Sequence, residues 1–164
     1  MFFPKNFPNF AAINYTFIKM KINLKNGIDK LVFGMKQSDV TALYGQPNSN
    51  YNDEDDNIIF AYNAQKMRLT FYKDEDFKLG YIVASSQDLE LFGIKIMGKN
   101  INDVQTDMAK NGIAKFTQEA FDTFENYFNE ANWIIFQTEF DEVVKFEIGA
   151  IINDKDEFEW KFKK

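Results

Sequence analysis

Twenty-five Asp and Glu residues head the groups this 164-residue chain could use for acid–base chemistry; with no His and no Cys, only Lys, Tyr, Ser and Thr stand beside them. Disulfides, thiolate nucleophiles, imidazole bases and Cys/His zinc sites are therefore excluded. Carboxylate chemistry such as glycoside hydrolysis needs two carboxyl groups held roughly 5–10 Å apart in a cleft. No motif or neighbouring nucleophile marks such a pair, so no catalytic residue is assigned. The densest acidic run, Asn52-Asp53-Glu54-Asp55-Asp56-Asn57, suggests calcium at first sight. A calcium loop of the EF-hand type requires Gly at its sixth position. Counting from Asp53, that position is Ile58, so the run reads as a solvated turn. No metal and no cofactor are expected. A Gly-rich phosphate loop and a basic aromatic platform are both missing, which argues against a nucleic-acid partner.

The elements that must carry these groups are legible from periodicity. Met20 and Ile22 alternate with Lys19, Lys21 and Asn23, so residues 18–24 read as a strand ended by Asn26-Gly27. Residues 36–44 read as a helix with Val40, Leu43 and Tyr44 on one face, stopped by Gly45 and Pro47. Residues 48–57 read as a polar loop. Strands are expected over 58–62, 67–72 and 79–84. A second helix starts at Asn100, a good N-cap, and carries Ile101, Val104 and Met108 as far as Asn111-Gly112. Strands over 133–138 and 143–150 form a hairpin, and Phe158, Trp160 and Phe162 alternate with charged residues as a closing strand. The segment Ala120–Phe128 is ambiguous. Its apolar residues fit a helical stripe, yet a strand over 123–129, with a turn of helix before it, is favoured.

That preference comes from an internal echo. Gly34-Met35-Lys36-Gln37-Ser38-Asp39-Val40 is matched 64 positions later by Gly98-Lys99-Asn100-Ile101-Asn102-Asp103-Val104. Self-similarity at a fixed spacing points to one supersecondary unit used twice. The later hairpin matches the earlier one with an offset of 64 to 65, which puts Leu69/Phe71 on Ile134/Phe136. The fold class expected is α+β: two helix-plus-antiparallel-meander repeats forming one sheet with helices on one face. The expected organisation is a single domain over 16–164. It comprises an N-terminal arm and first strand (1–26), a first unit (27–88), and a second unit with the closing strand (89–164).

Gly34-Met35, Asp39-Val40, Leu43, Gly45 and Pro47 fit a pattern of Gly-Met, a capped helix and Leu-x-Gly-x-Pro. In this the chain resembles β-lactamase-inhibitor protein, the SmpA/OmlA outer-membrane-assembly lipoproteins and related bacterial immunity proteins. The second copy keeps Gly98, Asn100 and Asp103-Val104 and lacks the proline. Lys36 stands where that family usually has a capping Ser or Thr. The resemblance implies tandem helix–hairpin architecture and a non-enzymatic, protein-binding role. The lipoprotein branch is disfavoured because the chain has no cysteine for lipid attachment.

Charge gives the partner its sign. The formal net charge is −6, and between Thr117 and Glu159 acids far outnumber Lys145 and Lys155, a field that attracts basic partners. If Leu69, Phe71, Ile82, Ala84, Ile134, Phe136, Phe146 and Ile148 face the helices, the opposite face carries Tyr72, Tyr81, Trp133, Gln137 and Glu147. With Asp122, Glu125, Glu139, Asp141 and Glu142, these are the candidate partner-binding residues. The alternative is that the closing strand or the arm covers this face, making it a second core. The function expected is immunity, in which the acids pair with Lys and Arg around the active site of a basic toxin domain. A scaffold module of the envelope and a carboxylate hydrolase are the alternatives. No stretch of 18 apolar residues occurs, so no membrane partner is expected. Residues 1–19 make a poor signal peptide, and the location expected is cytoplasmic. Met20 is a plausible start, so those residues are either an upstream extension or a loosely ordered arm.

Overall fold

The computed structural model describes residues 19–164. Helix α1 spans Gln37–Tyr44 and α2 spans Ile101–Lys110. The strands are β1 (Met20–Asn23), β2 (Gly27–Ile28), β3 (Ser49–Asn52), β4 (Ile58–Tyr62), β5 (Met67–Tyr72) and β6 (Lys78–Ala84). They continue with β7 (Leu89–Leu91), β8 (Ile94–Lys95), β9 (Thr117–Ala120), β10 (Glu125–Asn129), β11 (Ile134–Glu139) and β12 (Glu142–Gly149). The fold is mixed α+β and mostly strand, with two sheets.

The larger sheet has eight strands in the order β3-β4-β5-β6-β12-β11-β10-β9, two four-stranded meanders joined edge to edge at β6 and β12. The smaller has four strands in the order β2-β1-β7-β8. Its central pair is parallel, with Met20 beside Leu89. The strand read at the start of the chain is thus joined to β7. Residues 1–18, where the arm reading falls, lie outside the described residues.

Alternation sets the core. Leu69, Phe71, Ile82, Ala84, Ile134, Phe136, Phe146 and Ile148 are all buried, as their period of two requires. They share one apolar cluster with Val40 of α1, with Ile101, Val104 and Met108 of α2, and with Ile22, Leu89 and Leu91 of the small sheet. Each helix start makes a local bond between a side chain and the backbone. At α1 the Asp39 carboxylate accepts the Lys36 backbone N–H at 2.9 Å, the N3-to-N-cap half of a capping box, while the Asp39 N–H bonds back to the Lys36 carbonyl at 3.0 Å. At α2 the Asn100 side chain accepts the Asn102 N–H at 2.9 Å.

Four expectations need correction. Residues 49–52 are not loop: β3 pairs with β4 as an edge strand, its polar side chains exposed because that edge faces water. No turn of helix precedes β10. Thr117–Ala120 forms the opposite edge strand, and a short turn follows in which the Phe121 N–H bonds to the Phe124 carbonyl. The helical stripe at 120–128 misled because Tyr127 and Phe128 lie on opposite faces of a strand; Tyr127 pairs with Phe136 on the core side. The closing strand at 158–162 does not form. Apart from an Ile152–Phe158 bridge, its N–H groups find scattered acceptors, Glu159 on the Ile151 carbonyl and Lys161 and Phe162 on that of Phe33. Finally, Leu69 faces Ile82 while Phe136 faces Phe146, each pair just beyond a register shift. Ile82 and Phe146 lie 64 residues apart but their partners Leu69 and Phe136 lie 67 apart, so one offset of 64 to 65 does not carry through both hairpins.

Candidate functional site

The sequence placed ten residues on one docking surface, and the structure divides them between two. On the outer face of the large sheet, away from the core, Tyr72, Tyr81 and Trp133 come together with Phe128 and Ile135 around a concavity of about 400 Å³. Two glycines make this possible. A Cβ on Gly80 would overlap the Tyr72 ring, and one on Gly149 would stand 2.5 Å from Trp133 Nε1. The strand backbone is bare where each ring crosses it, so the aromatics lie close against the sheet. Trp133 also meets Phe128 edge-on, with ring centroids 5.1 Å apart.

This aromatic patch is partly covered from one side. The Tyr72 ring lies 5.5 Å from that of Phe158, which stacks on Trp160 at 4.8 Å, and Lys78 Nζ stands 5.4 Å from the Trp160 ring. The C-terminal segment therefore packs beside Tyr72, while Trp133 keeps 37% of its surface open. Tyr81 donates to Glu147 Oε2 at 2.9 Å. Its hydroxyl is pushed well above the ordinary tyrosine range, first by burial and then by the Glu147 charge. Burial likewise pushes Tyr72 up to about 12, with the charge of Asp53 adding to it. Gln137, on the same face, donates to Asn126 Oδ1 at 3.3 Å.

The second surface lies at the end of the β11–β12 hairpin. Asp122, Glu125, Glu139 and Asp141 line a cleft of about 500 Å³ together with Phe121, Phe124 and Phe140. Phe121 and Phe124 stack with centroids 4.6 Å apart, and Phe121 is 44% exposed. Phe140 is 99% exposed, the most open large apolar side chain among the described residues. Phe140 and Asp141 are the two loop residues, since Glu139 faces Glu142 in the register, and both have positive φ, 49° and 63°. Two-residue hairpins favour this geometry because it matches strand twist, but Gly and Asn usually supply it. The sequence reading singled out the acids here and missed Phe140; a bulky residue in a two-residue turn was the available signal.

Glu125 does not share the outer face. It follows the core-side alternation of Tyr127 and accepts from Tyr127 Oη at 2.9 Å and Gln118 Nε2 at 2.8 Å. Burial and this bond push the Tyr127 hydroxyl up to about 12. Glu147 is also removed from the tip, held by Tyr81. Glu142 is exposed on the hairpin and Asn100 forms an isolated bridge with it.

The acidic run at 52–57 is organised by its own backbone. Asp53 Oδ1 accepts the N–H groups of Asp55 at 3.0 Å and Asn57 at 2.9 Å. Among the described residues no group of acids is arranged to hold a metal ion.

No family model matches the sequence, and no curated protein matches it. Among solved structures, an extracellular protein containing an SCP domain from Bacillus anthracis strain Ames is similar over 71% of this chain, with 14% identity and a TM-score of 0.48. The match covers 43% of that chain, so this chain spans less than half of that protein's length. A likeness of this size assigns neither fold family nor activity. Among the described residues, no helix is long and apolar enough to cross a membrane.

Proposed function

We propose that this chain is a non-enzymatic binding module that engages a basic protein through its β11–β12 tip, acting as an immunity protein that occludes a toxin's active site. The observation that carries the reading is Phe140, a fully open aromatic at a tight turn surrounded by carboxylates. Three features of that tip work against stability. Two non-glycine residues hold positive φ, like charges sit opposite each other at Glu139 and Glu142, and a phenyl ring is left in water. Local strain of this kind is common at sites that bind. An aromatic anchor ringed by acids suits a surface rich in Lys and Arg, where aromatics supply affinity and charge supplies approach rate.

The reading includes a duplicated scaffold with both helices on the inner face of the sheet, resembling the β-lactamase-inhibitor and SmpA/OmlA architecture. Supporting it is a pair of reciprocal backbone bonds. Gly34 N–H donates to Leu79 O and Leu79 N–H to Met35 O; 64 residues on, Gly98 N–H donates to Val143 O and Val143 N–H to Lys99 O. Both glycines have positive φ, 105° and 75°, which explains why each copy opens with Gly. A cytoplasmic location belongs to the same reading.

The test titrates the product of the adjacent gene, which this reading expects to be a basic toxin domain, against wild type, the E139K/E142K double variant and Phe140→Ala. The reading expects each variant to weaken binding by about tenfold or more, as loss of a hot spot does. Equal affinity of wild type and both variants overturns it.

A further inference from the structure

A second concavity, of about 390 Å³, lies on the outer face where β5, β6 and β12 run side by side. It is lined by Lys66, Arg68 and Lys145 over a floor that includes Val83, with Asn63 and Ser85 beside them. The register explains the convergence. Arg68 faces Val83 across β5–β6, Ala84 faces Phe146 across β6–β12, and the Ser85 N–H bonds to the Lys66 carbonyl at 3.0 Å. Arg68 on β5, Lys66 in the turn before it and Lys145 on β12 thus converge across β6 on a single hollow.

Among the described residues, none of these three side chains has an ion pair or hydrogen bond, although the chain holds 25 acids. The nearest acid by register is Glu147, opposite Val83 and so two strands from Arg68, and it is already engaged by Tyr81. Bringing three like charges together unpaired is unfavourable, and an anion in the hollow would remove that repulsion. The identity of the central residue adds to this. Arg68 is the single arginine in a chain with eighteen lysines. Arginine differs from lysine in its planar fork, which binds an oxyanion through two parallel N–H donors.

We infer that this hollow is a binding site for a small phosphate-bearing ligand, with Arg68 gripping the phosphate and Lys66 and Lys145 neutralising it. Extended nucleic acid does not fit, because a polyanion needs a basic track and the surroundings of this hollow belong to a chain of net charge −6. The site is separate from the hairpin tip and stands whatever the tip binds.

Inorganic phosphate titrated into the full chain at about 50 mM salt, low enough to limit screening, is followed by amide chemical shifts and calorimetry. The expected result is saturable binding with a Kd on the order of 1 mM or tighter, with shifts centred on Lys66, Arg68, Val83 and Lys145. Arg68→Gln and Lys145→Gln, both at surface positions, should each weaken it by about tenfold while leaving the circular dichroism unchanged. Arg68→Lys, which keeps the charge and loses the fork, should also weaken it. Absence of saturation, shifts centred elsewhere, unchanged binding by the variants, or equal binding of acetate would overturn the assignment.

Discussion

The indole of Trp133 occupies the space that a side chain on Gly149 would fill, and the two residues are also tied by a 3.0 Å bond from the Gly149 N–H to the Trp133 carbonyl. A Cβ at that position would also approach Tyr81 Cδ2 to 3.1 Å. Gly149→Ala should therefore displace the indole. In a Trp160→Phe background, which leaves Trp133 as the sole tryptophan, its emission should shift to the red. Stability should fall by about 1–3 kcal/mol, the usual effect of overpacking. Unchanged emission and stability would refute this account of the aromatic patch.

Alkaline pH should unfold the protein through its tyrosines. Tyr44, Tyr62, Tyr72, Tyr81 and Tyr127 all have hydroxyls raised above the ordinary value, burial being the largest cause in each. The unfolded chain ionises them near pH 10, while Tyr72 and Tyr127 in the fold hold their protons to about 12. Above pH ~10 the unfolded state binds fewer protons than the folded one, so stability present below that pH is lost as pH rises toward 12. Absorbance of tyrosinate, followed with circular dichroism, should show ionisation coinciding with unfolding. Ionisation of all of them near pH 10 with the fold intact would contradict it.

The hairpin tip should trade stability for binding. Replacing Phe140-Asp141 by Asn-Gly supplies residues that tolerate positive φ and removes an exposed ring. The gain should be about 1 kcal/mol, or a Tm rise of roughly 2–4 °C for a chain of this size. Binding to the basic partner should fall in the same variant. A lower Tm would show that the loop is not strained.

The two helix caps should be separable. Asp39→Ala removes the acceptor for the Lys36 N–H, and Asn100→Ala removes that for the Asn102 N–H. Each should lower stability by about 1 kcal/mol, and the double variant should lose close to the sum, because the sites share no partner. Denaturant midpoints at constant m-value would check this, and a loss well beyond the sum would indicate coupling between the helix starts.

Much of this architecture is written locally. Period-two alternation located β5, β6, β11 and β12, because one face of each is buried, while β4, with both Ile59 and Phe60 buried, showed as a short apolar run. The Gly45 and Asn100 signals bounded both helices, because helix ends are satisfied by neighbouring groups within the chain. Three things depended on distant partners and could not be read that way. The edge strands β3 and β9 bury no side chain, so pairing alone defines them and no pattern marks them. The stretch 158–162 alternates like a strand, but no neighbour offers it a ladder. The ten candidate residues share charge and aromatic character, yet the twist of alternation at Glu125 and the bond from Tyr81 to Glu147 divide them between a sheet face and a hairpin tip. Composition and periodicity are properties of the chain; which backbone edge or bare glycine a side chain meets is decided only when strands far apart in sequence pack.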